Sequence, residues 1–557
     1  MGRTTLASFL TILFFTLSVF QSPALDFWDD LPEEELATAL IEEMTDQELL
    51  GQVLILGYYG GEPSPEIEHS ISFRKLGGVK VFGWNVTDLP TLAQSVLDMQ
   101  ELSQETRFRI PLLMVTDQEG GWVRHIRKGT SSTTGNLGLG ATNIPRDSYL
   151  TGYYIGLEMK SLGINMNFAP TVDIYNNPEA HVIGPRAFSD DPVQTAILAT
   201  AFFKGMDATG VISTAKHFPG HGNADTDSHS GLPIIRSTLE EIWNNELVPY
   251  RFLMREGIPA IMSGHLAFPN ITGDEIPATI SEFMLTELVR NRLNFKGMVV
   301  TDDLIMWGVQ GLNYDTATLT KLAILAGNDL VLISRPPELH EKVFDRMLTE
   351  MQTNETFRAR VIQSADRVIR IKLSYLKRDG AVPLYPDVEA IGQTVVLPEG
   401  YDFFLDQSFR SVSAVSWTEN SAPVDPNGKI LLTGQYDEFF EEGRKAFPGA
   451  DEYSISYNPF YYPKESEKTY IRRNASDYDT IIFCLANPNS LEILKTLRTY
   501  EGNLIVLSVL TPVYLAEVPW VEQSLALYGT THESFLAGFS ILQGVYSPSG
   551  HVPLNGL

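Results

Sequence analysis

The 557-residue chain holds one cysteine, Cys484, and so cannot close a disulfide on itself, which excludes a cystine-stapled scaffold. Basic residues are scarce, with 41 Lys and Arg against 69 Asp and Glu, a formal charge of −28. That balance repels phosphates, so it argues against nucleic acid and makes an anionic membrane surface a poor partner. Beyond residue 24 no run approaches the ~18 apolar residues a membrane-spanning helix needs. Strict internal repeats and low-complexity tracts are lacking too. What is present is 43% hydrophobic, enough apolar surface to offset chain entropy over two or three cores.

The N-terminus reads as a signal peptide over residues 1–24. Arg3 supplies the positive end, and Leu6 to Phe20 form an apolar run broken only by Ser and Thr. Ser22-Pro23-Ala24 then puts small residues before a cut. A buried first helix is the alternative. Export to a periplasm or the outside of the cell is therefore expected. Cys484 sits in the apolar run Ile481 to Ala486, where it reads as inert packing. Sequons at Asn85, Asn270, Asn354 and Asn474 matter only in a glycosylating host.

Eight short apolar runs follow one another, each leading into Gly and polar residues and then a helix-like stretch. They are Val53–Leu56, Val79–Phe82, Leu112–Val115, Met166–Ala169, Val211–Thr214, Ala260–Ser263, Met298–Thr301 and Leu330–Ile333. Strands with so little polar alternation are buried on both faces, as in parallel sheets. Between them, Leu89, Leu92, Val96 and Met99 share one helical face behind Pro90, and Ser237 and Glu240 have capping-box spacing. The pattern predicts an α/β fold, a (β/α)8 TIM-type barrel over residues 25–376, with an open doubly wound sheet as its rival. A Gly- and Pro-containing stretch, 377–400, reads as a linker. Strands at Ile430–Thr433, Thr480–Ala486, Leu504–Leu510 and Leu525–Tyr528, with helices at 491–500 and 533–545, predict a second, smaller α/β domain over 401–557.

Chemistry-bearing residues fall at the ends of the predicted barrel strands, where such folds collect reactive groups. The third run enters Asp117-Gln118-Glu119-Gly120-Gly121. The fifth enters Lys216-His217-Phe218-Pro219-Gly220-His221-Gly222, then Asp225, Asp227 and His229. The sixth reaches His265 and the seventh Asp302-Asp303. Glycines and Pro219 make the histidine stretch a shaped loop. Asp227 can hold the His229 imidazole and suit it to proton transfer. His217, His221, Asp225 and His229 are alternatively metal ligands, although their spacing matches no zinc motif; loop histidines can also merely cap backbone groups. Asp302 can attack an anomeric carbon, or cap a helix beginning at Leu304, a role that suits Asp303 better.

The histidine loop, Lys216 to Gly222 followed by Asp227-Ser228-His229, resembles the signature of bacterial β-N-acetylglucosaminidases of glycoside hydrolase family 3. Asp117 to Gly121, Asn167-Phe168-Ala169-Pro170, Gly184-Pro185-Arg186 and Val300 to Leu304 are similar to its other motifs, in the same order. The resemblance spans about residues 35–375 and continues more weakly to Tyr546–Pro553. It implies a barrel with a sandwich behind it, a carbohydrate substrate, and a retaining hydrolase needing no metal or other cofactor; a monomer is expected. Asp302 matches the nucleophile, His229 the general acid/base and Asp227 its partner. Asp117, Arg186, Lys216 and His217 match residues holding sugar hydroxyls. After Gly121 the chain departs from the family: Trp122-Val123-Arg124-His125 replaces Arg-Val-x-Arg, placing His125 where a sugar-binding arginine usually stands, with Arg124 or Arg127 as possible substitutes.

The implied reaction is a double displacement. Asp302 attacks while protonated His229 gives its proton to the leaving oxygen; neutral His229 then activates water. An unperturbed imidazole, at ~6.5, suits both steps near neutral pH. The expected function is exo-β-N-acetylglucosaminidase on cell-wall or chitin-type sugars. A β-glucosidase or β-xylosidase of the same family and a catalytically silent sugar-binding protein are the alternatives.

Overall fold

A computed structural model describes residues 25–224, 231–418, 421–456 and 464–557. The expected signal peptide lies outside these residues.

Eight parallel strands form one sheet: Leu54–Gly57, Gly78–Lys80, Leu113–Thr116, Met166–Asn167, Ile212–Phe218, Ala260–Ser263, Met298–Thr301 and Val331–Ile333. They run in sequence order, and the first also pairs with the eighth, Leu54 opposite Val331. A parallel bridge between Val300 and Leu330 joins the seventh to the eighth, so the sheet closes on itself. The open-sheet alternative is thereby excluded. All eight strands are buried along their length, which explains why the sequence shows runs rather than alternation.

Helices cover the outside. In Leu89–Gln104, Leu92, Val96 and Met99 are fully buried, and Asp88 caps the start by accepting from the Thr91 amide at 2.8 Å. The capping box lies one residue beyond the expected pair: the Thr238 amide donates to Glu241 at 2.6 Å, and the Glu241 amide to the Thr238 hydroxyl at 3.3 Å. Asn85 is buried, its amide nitrogen donating to the carbonyls of Tyr58 and Gly60, so this sequon is closed to modification.

After the barrel's last long helix, Glu355–Leu376, come short helical turns at Val388–Ala390 and Ile391–Thr394 and the helix Pro398–Ser411. A six-stranded sheet follows, in the spatial order Ser413–Ser416, Gln523–Tyr528, Asn503–Val509, Thr480–Leu485, Ile430–Gly434, Asp451–Ser454. Only its first pair is antiparallel. Separate apolar clusters cover its two faces. Four of these strands were expected. The two missed ones are the edges, short and partly exposed, so no apolar run marks them. Cys484 is fully buried in a central strand, and burial pushes its thiol pKa up.

A third cluster joins the two parts. Tyr175, Ile183 and Ala187 pack with Ala526, Tyr528 and Leu554. The second sheet therefore braces the barrel loop that carries Arg186.

Candidate active site

The reactive groups converge on one end of the barrel. Lys80 is the last residue of the second strand, Asp117 follows the third, Lys216 and His217 are among the last three residues of the fifth, and Asp302 follows the seventh. In a parallel barrel these C-terminal strand ends share one rim.

A continuous chain of charges runs across that rim. Lys80 pairs with Asp117. Lys216 reaches both Asp117 (2.5 Å) and Glu119 (2.6 Å). Arg186 donates to Glu119 through Nε at 2.9 Å and Nη2 at 2.8 Å, and the same Nη2 lies 3.2 Å from His217 Nε2. His217 Nδ1 in turn lies 2.8 Å from Asp173 Oδ2. Because a guanidinium only donates, Nε2 of His217 is the acceptor and Nδ1 carries the proton toward Asp173. Both ring nitrogens are thus committed, which removes His217 from the metal-ligand reading. Among the described residues, no group of three or more His, Cys, Asp and Glu is placed to hold a metal ion.

The electrostatics follow from burial set against pairing. Burial raises the Asp117 carboxyl, but Lys216 and Lys80 outweigh it and hold the group well below the usual carboxylate range. Burial likewise opposes, and Arg186 and Lys216 win, at Glu119, which falls to about 2. Asp173 also falls to about 2, through His217 and His221. Burial pulls the Lys80 ammonium below its ordinary value, against Asp117; Asp302 is among the charges it feels. The carboxylates are therefore ionised acceptors at neutral pH. Most of the chain is closed to solvent, with Glu119 at 1% side-chain exposure and Lys216 at 3%, whereas Asp117 (15%) and His125 (28%) are its open end.

Asp302 is fixed by its backbone: its amide donates to the Ser263 carbonyl at 3.1 Å, and its Oδ1 accepts from the Asp303 amide at 2.8 Å. No helix starts at Leu304; the next one begins at Trp307, so the N-cap reading fails for both aspartates. Asp303 instead pins the turn, accepting from the amides of Ile305 and Ser334. Burial raises its carboxyl to about 6.

Asp225, Asp227 and His229 lie outside the described residues, but the described residues on both sides of them stand on this same rim. On the incoming side, the His221 amide donates to Asp173 at 2.7 Å. A side chain at Gly222 would collide with the Ile174 carbonyl oxygen at 1.7 Å, so glycine is required there. On the outgoing side, Ile235 donates to the Ala267 carbonyl at 2.8 Å.

His125 stands inside the site, with Nε2 3.3 Å from Asp117 Oδ2. Burial lowers its pKa despite that bond. Neither nearby arginine takes the missing family position by contacting this cluster. Arg124 donates to the Ser131 carbonyl and Ser132 hydroxyl, and Arg127 to the carbonyls of Arg124 and Trp122.

Sequence reasoning overlooked Lys80, Glu119 and Asp173 as site residues. Two of them carried a signal: Lys80 and Asp173 are lone charges inside apolar runs, and a charge buried on both sides needs a partner.

The family description "Glycosyl hydrolase family 3 N terminal domain" fits residues 42–371. A Beta-hexosaminidase A of Pseudoalteromonas piscicida is 34% identical over 60% of this chain, and the match spans 62% of that protein's length. A Beta-hexosaminidase of Haemophilus influenzae is 35% identical over 52% of this chain and 87% of its own. Among solved structures, a glycoside hydrolase family 3 beta-N-acetylglucosaminidase from Paenibacillus sp. str. FPU-7 superposes with a TM-score of 0.83 at 27% identity, over 92% of this chain and 99% of that one. The chain belongs to glycosyl hydrolase family 3.

Proposed function

We propose that the protein is a retaining exo-β-N-acetylglucosaminidase, exported after removal of residues 1–24 and acting on cell-wall or chitin-type oligosaccharides. The observation that carries the reading is the position of Asp302. It stands at the end of the seventh strand, on the rim that also holds Asp117, Lys216, Arg186 and His217 and the described residues on either side of Asp227 and His229. Three relatives of the chain, named above, bear the names of hexosaminidases or a β-N-acetylglucosaminidase.

In this reading the sugar at the non-reducing end sits against Asp117, whose ionised oxygens accept from its hydroxyls while Lys80 and Lys216 hold the carboxylate in place. Asp302 forms a bond to the anomeric carbon as the glycosidic oxygen leaves with a proton from His229. The imidazole, now neutral, takes a proton from water as that water displaces Asp302, which regenerates both groups with net retention. Asp227 holds the imidazole. A neutral base repels anions less than a carboxylate does, so inorganic phosphate is expected to compete with water as acceptor.

Release of nitrophenol from the β-N-acetylglucosaminide, compared with the β-glucoside and β-xyloside, tests the assignment. Preference for the first, with Asp302→Asn slower by roughly 10⁴-fold or more, is the expected result. Preference for the β-glucoside or β-xyloside selects the other hydrolases, and sugar binding without turnover selects the silent protein.

A further inference from the structure

A large cavity among the described residues is at the wrong end for this chemistry. It occupies about 990 Å³ and opens between Ile258-Pro259, which lead into the sixth strand, and Phe295 to Gly297, which lead into the seventh. These are N-terminal strand ends, so the full length of the barrel separates the cavity from Asp302.

Its lining is unusual for a chain with a formal charge of −28. Arg251, Arg255 and Lys296 line it, with Arg292, itself paired to Glu287, and no carboxylate lines it. The nearby acids are engaged: Glu256 with Lys204 at 3.3 Å, Glu287 with Arg292 at 2.9 Å, and Asp207 with the Tyr375 hydroxyl and Arg378. Arg251 lies over the Trp243 ring, 5.0 Å from its centre, rather than against a carboxylate, and its buried Nε finds no acceptor. Behind the wall, Arg290, Arg360 and Arg367 surround the single buried Asp329, and Arg290 also donates to the Phe295 and Gly297 carbonyls. That cluster adds further positive charge. Phe252 contributes an aromatic ring that is 44% exposed.

We propose that this cleft is a second, non-catalytic binding site for an acidic oligosaccharide, one whose sugar rings carry carboxylate or phosphate groups. Guanidinium forks match either anion with two parallel hydrogen bonds. The aromatic rings offer apolar faces for sugar C–H groups, and the volume lies at the upper end for a small-molecule site, room for a few rings. The choice of a sugar rests on the glycosidase reading; the anionic character rests on the cleft alone. In a chain with a formal charge of −28, this cleft is a local concentration of positive charge that draws an anion.

Calorimetric titration of the full-length protein at low salt tests this. The probes are tetragalacturonate for carboxylates, glucose 1,6-bisphosphate for phosphates, neutral maltotetraose, and a tetraglutamate peptide. Wild type is compared with the double variant Arg255→Glu/Lys296→Glu, both exposed positions. The expected result is binding of tetragalacturonate or the bisphosphate that weakens at least tenfold in the variant and with added salt, while nitrophenyl glycoside hydrolysis at the rim is unchanged. Failure of both anionic sugars to bind, equal binding by the two proteins, or binding of maltotetraose or tetraglutamate as tightly as the acidic sugars overturns the proposal. Loss of rim activity on every glycoside with anion binding intact would instead overturn the glycosidase reading and leave the cationic cleft standing.

Discussion

Arg186 grips Glu119 through two parallel hydrogen bonds, 2.8 and 2.9 Å, in a setting where Glu119 is 1% exposed. Lys216 shares the same carboxylate. One anion thus positions two cations: it is the carboxylate that Arg186 grips, while Lys216 shares it with Asp117. Glu119→Gln leaves both cations buried with half their partner and turns an amide N–H toward one of them. Breaking a buried pair in this way costs about 3–5 kcal/mol. Urea denaturation at pH 7 should show that loss, and kcat/KM should fall at least tenfold as Arg186 and Lys216 shift.

The same residue sets a pH dependence. Glu119 is depressed to about 2 from an ordinary value of 4.5, so its stabilisation is fully present above about pH 4.5 and is lost as pH falls toward 2. Urea midpoints in the wild type should change little between pH 7 and 5 through this group and drop between pH 5 and 3. In Glu119→Gln the acid slope should be shallower, although the protein is weaker throughout.

Glu158 carries the opposite sign. It accepts from the Ser131 amide and hydroxyl but is buried without a cation in contact, and burial raises it to about 7. A raised carboxyl stabilises the fold below its unfolded value and loses that contribution as pH rises through 7. At pH 8 the charged form costs about 3 kcal/mol. Glu158→Gln keeps a carbonyl for Ser131 and removes the charge, so it should raise the melting temperature at pH 8 and change it little at pH 4. Equal effects at the two pH values would refute the charge explanation.

How much of this was legible depended on what each feature does to the sequence. The barrel was readable because each of its strands is buried on both faces, which writes a run such as Met298 to Thr301 without interruption. An edge strand such as Asp451–Ser454 leaves no such mark, because three of its four residues are exposed and none is buried. Asp117, Lys216, His217 and Asp302 were readable because they sit at strand ends in recognisable motifs. Asp173 was readable only as a lone charge in need of a partner; its role comes from contacts with His217 and His221, 44 and 48 residues away, which no local pattern encodes. The replacement at His125 was visible in the sequence; that it still touches Asp117 was not.

Trp84 extends the site outward. Its ring, 46% exposed, stacks on Phe82 with centroids 4.2 Å apart, and Phe82 lies 5.2 Å from His125. An aromatic face on the rim suits a sugar in the leaving-group position. Trp84→Ala should raise KM about fivefold for diacetylchitobiose, the scale of one aromatic contact. It should leave the glycosyl fluoride, which has no sugar to stack, unaffected. Equal changes for both substrates would mean that Trp84 acts by supporting Phe82 and His125.

The assignment of His229 as proton donor can be separated from a structural role by leaving-group chemistry. A dinitrophenolate departs without protonation, whereas a sugar alkoxide does not. If His229 supplies that proton, His229→Ala should slow glycosylation least for dinitrophenyl and most for chitobiose, so the loss scales with the leaving group's pKa. Hydrolysis of the covalent intermediate contains no leaving group from the substrate, so that step should slow by one common factor. With the dinitrophenyl substrate the intermediate should therefore accumulate and show a burst, which azide, needing no base, should relieve. Uniform slowing of glycosylation across the series, with no burst and no azide rescue, would place His229 outside the chemistry.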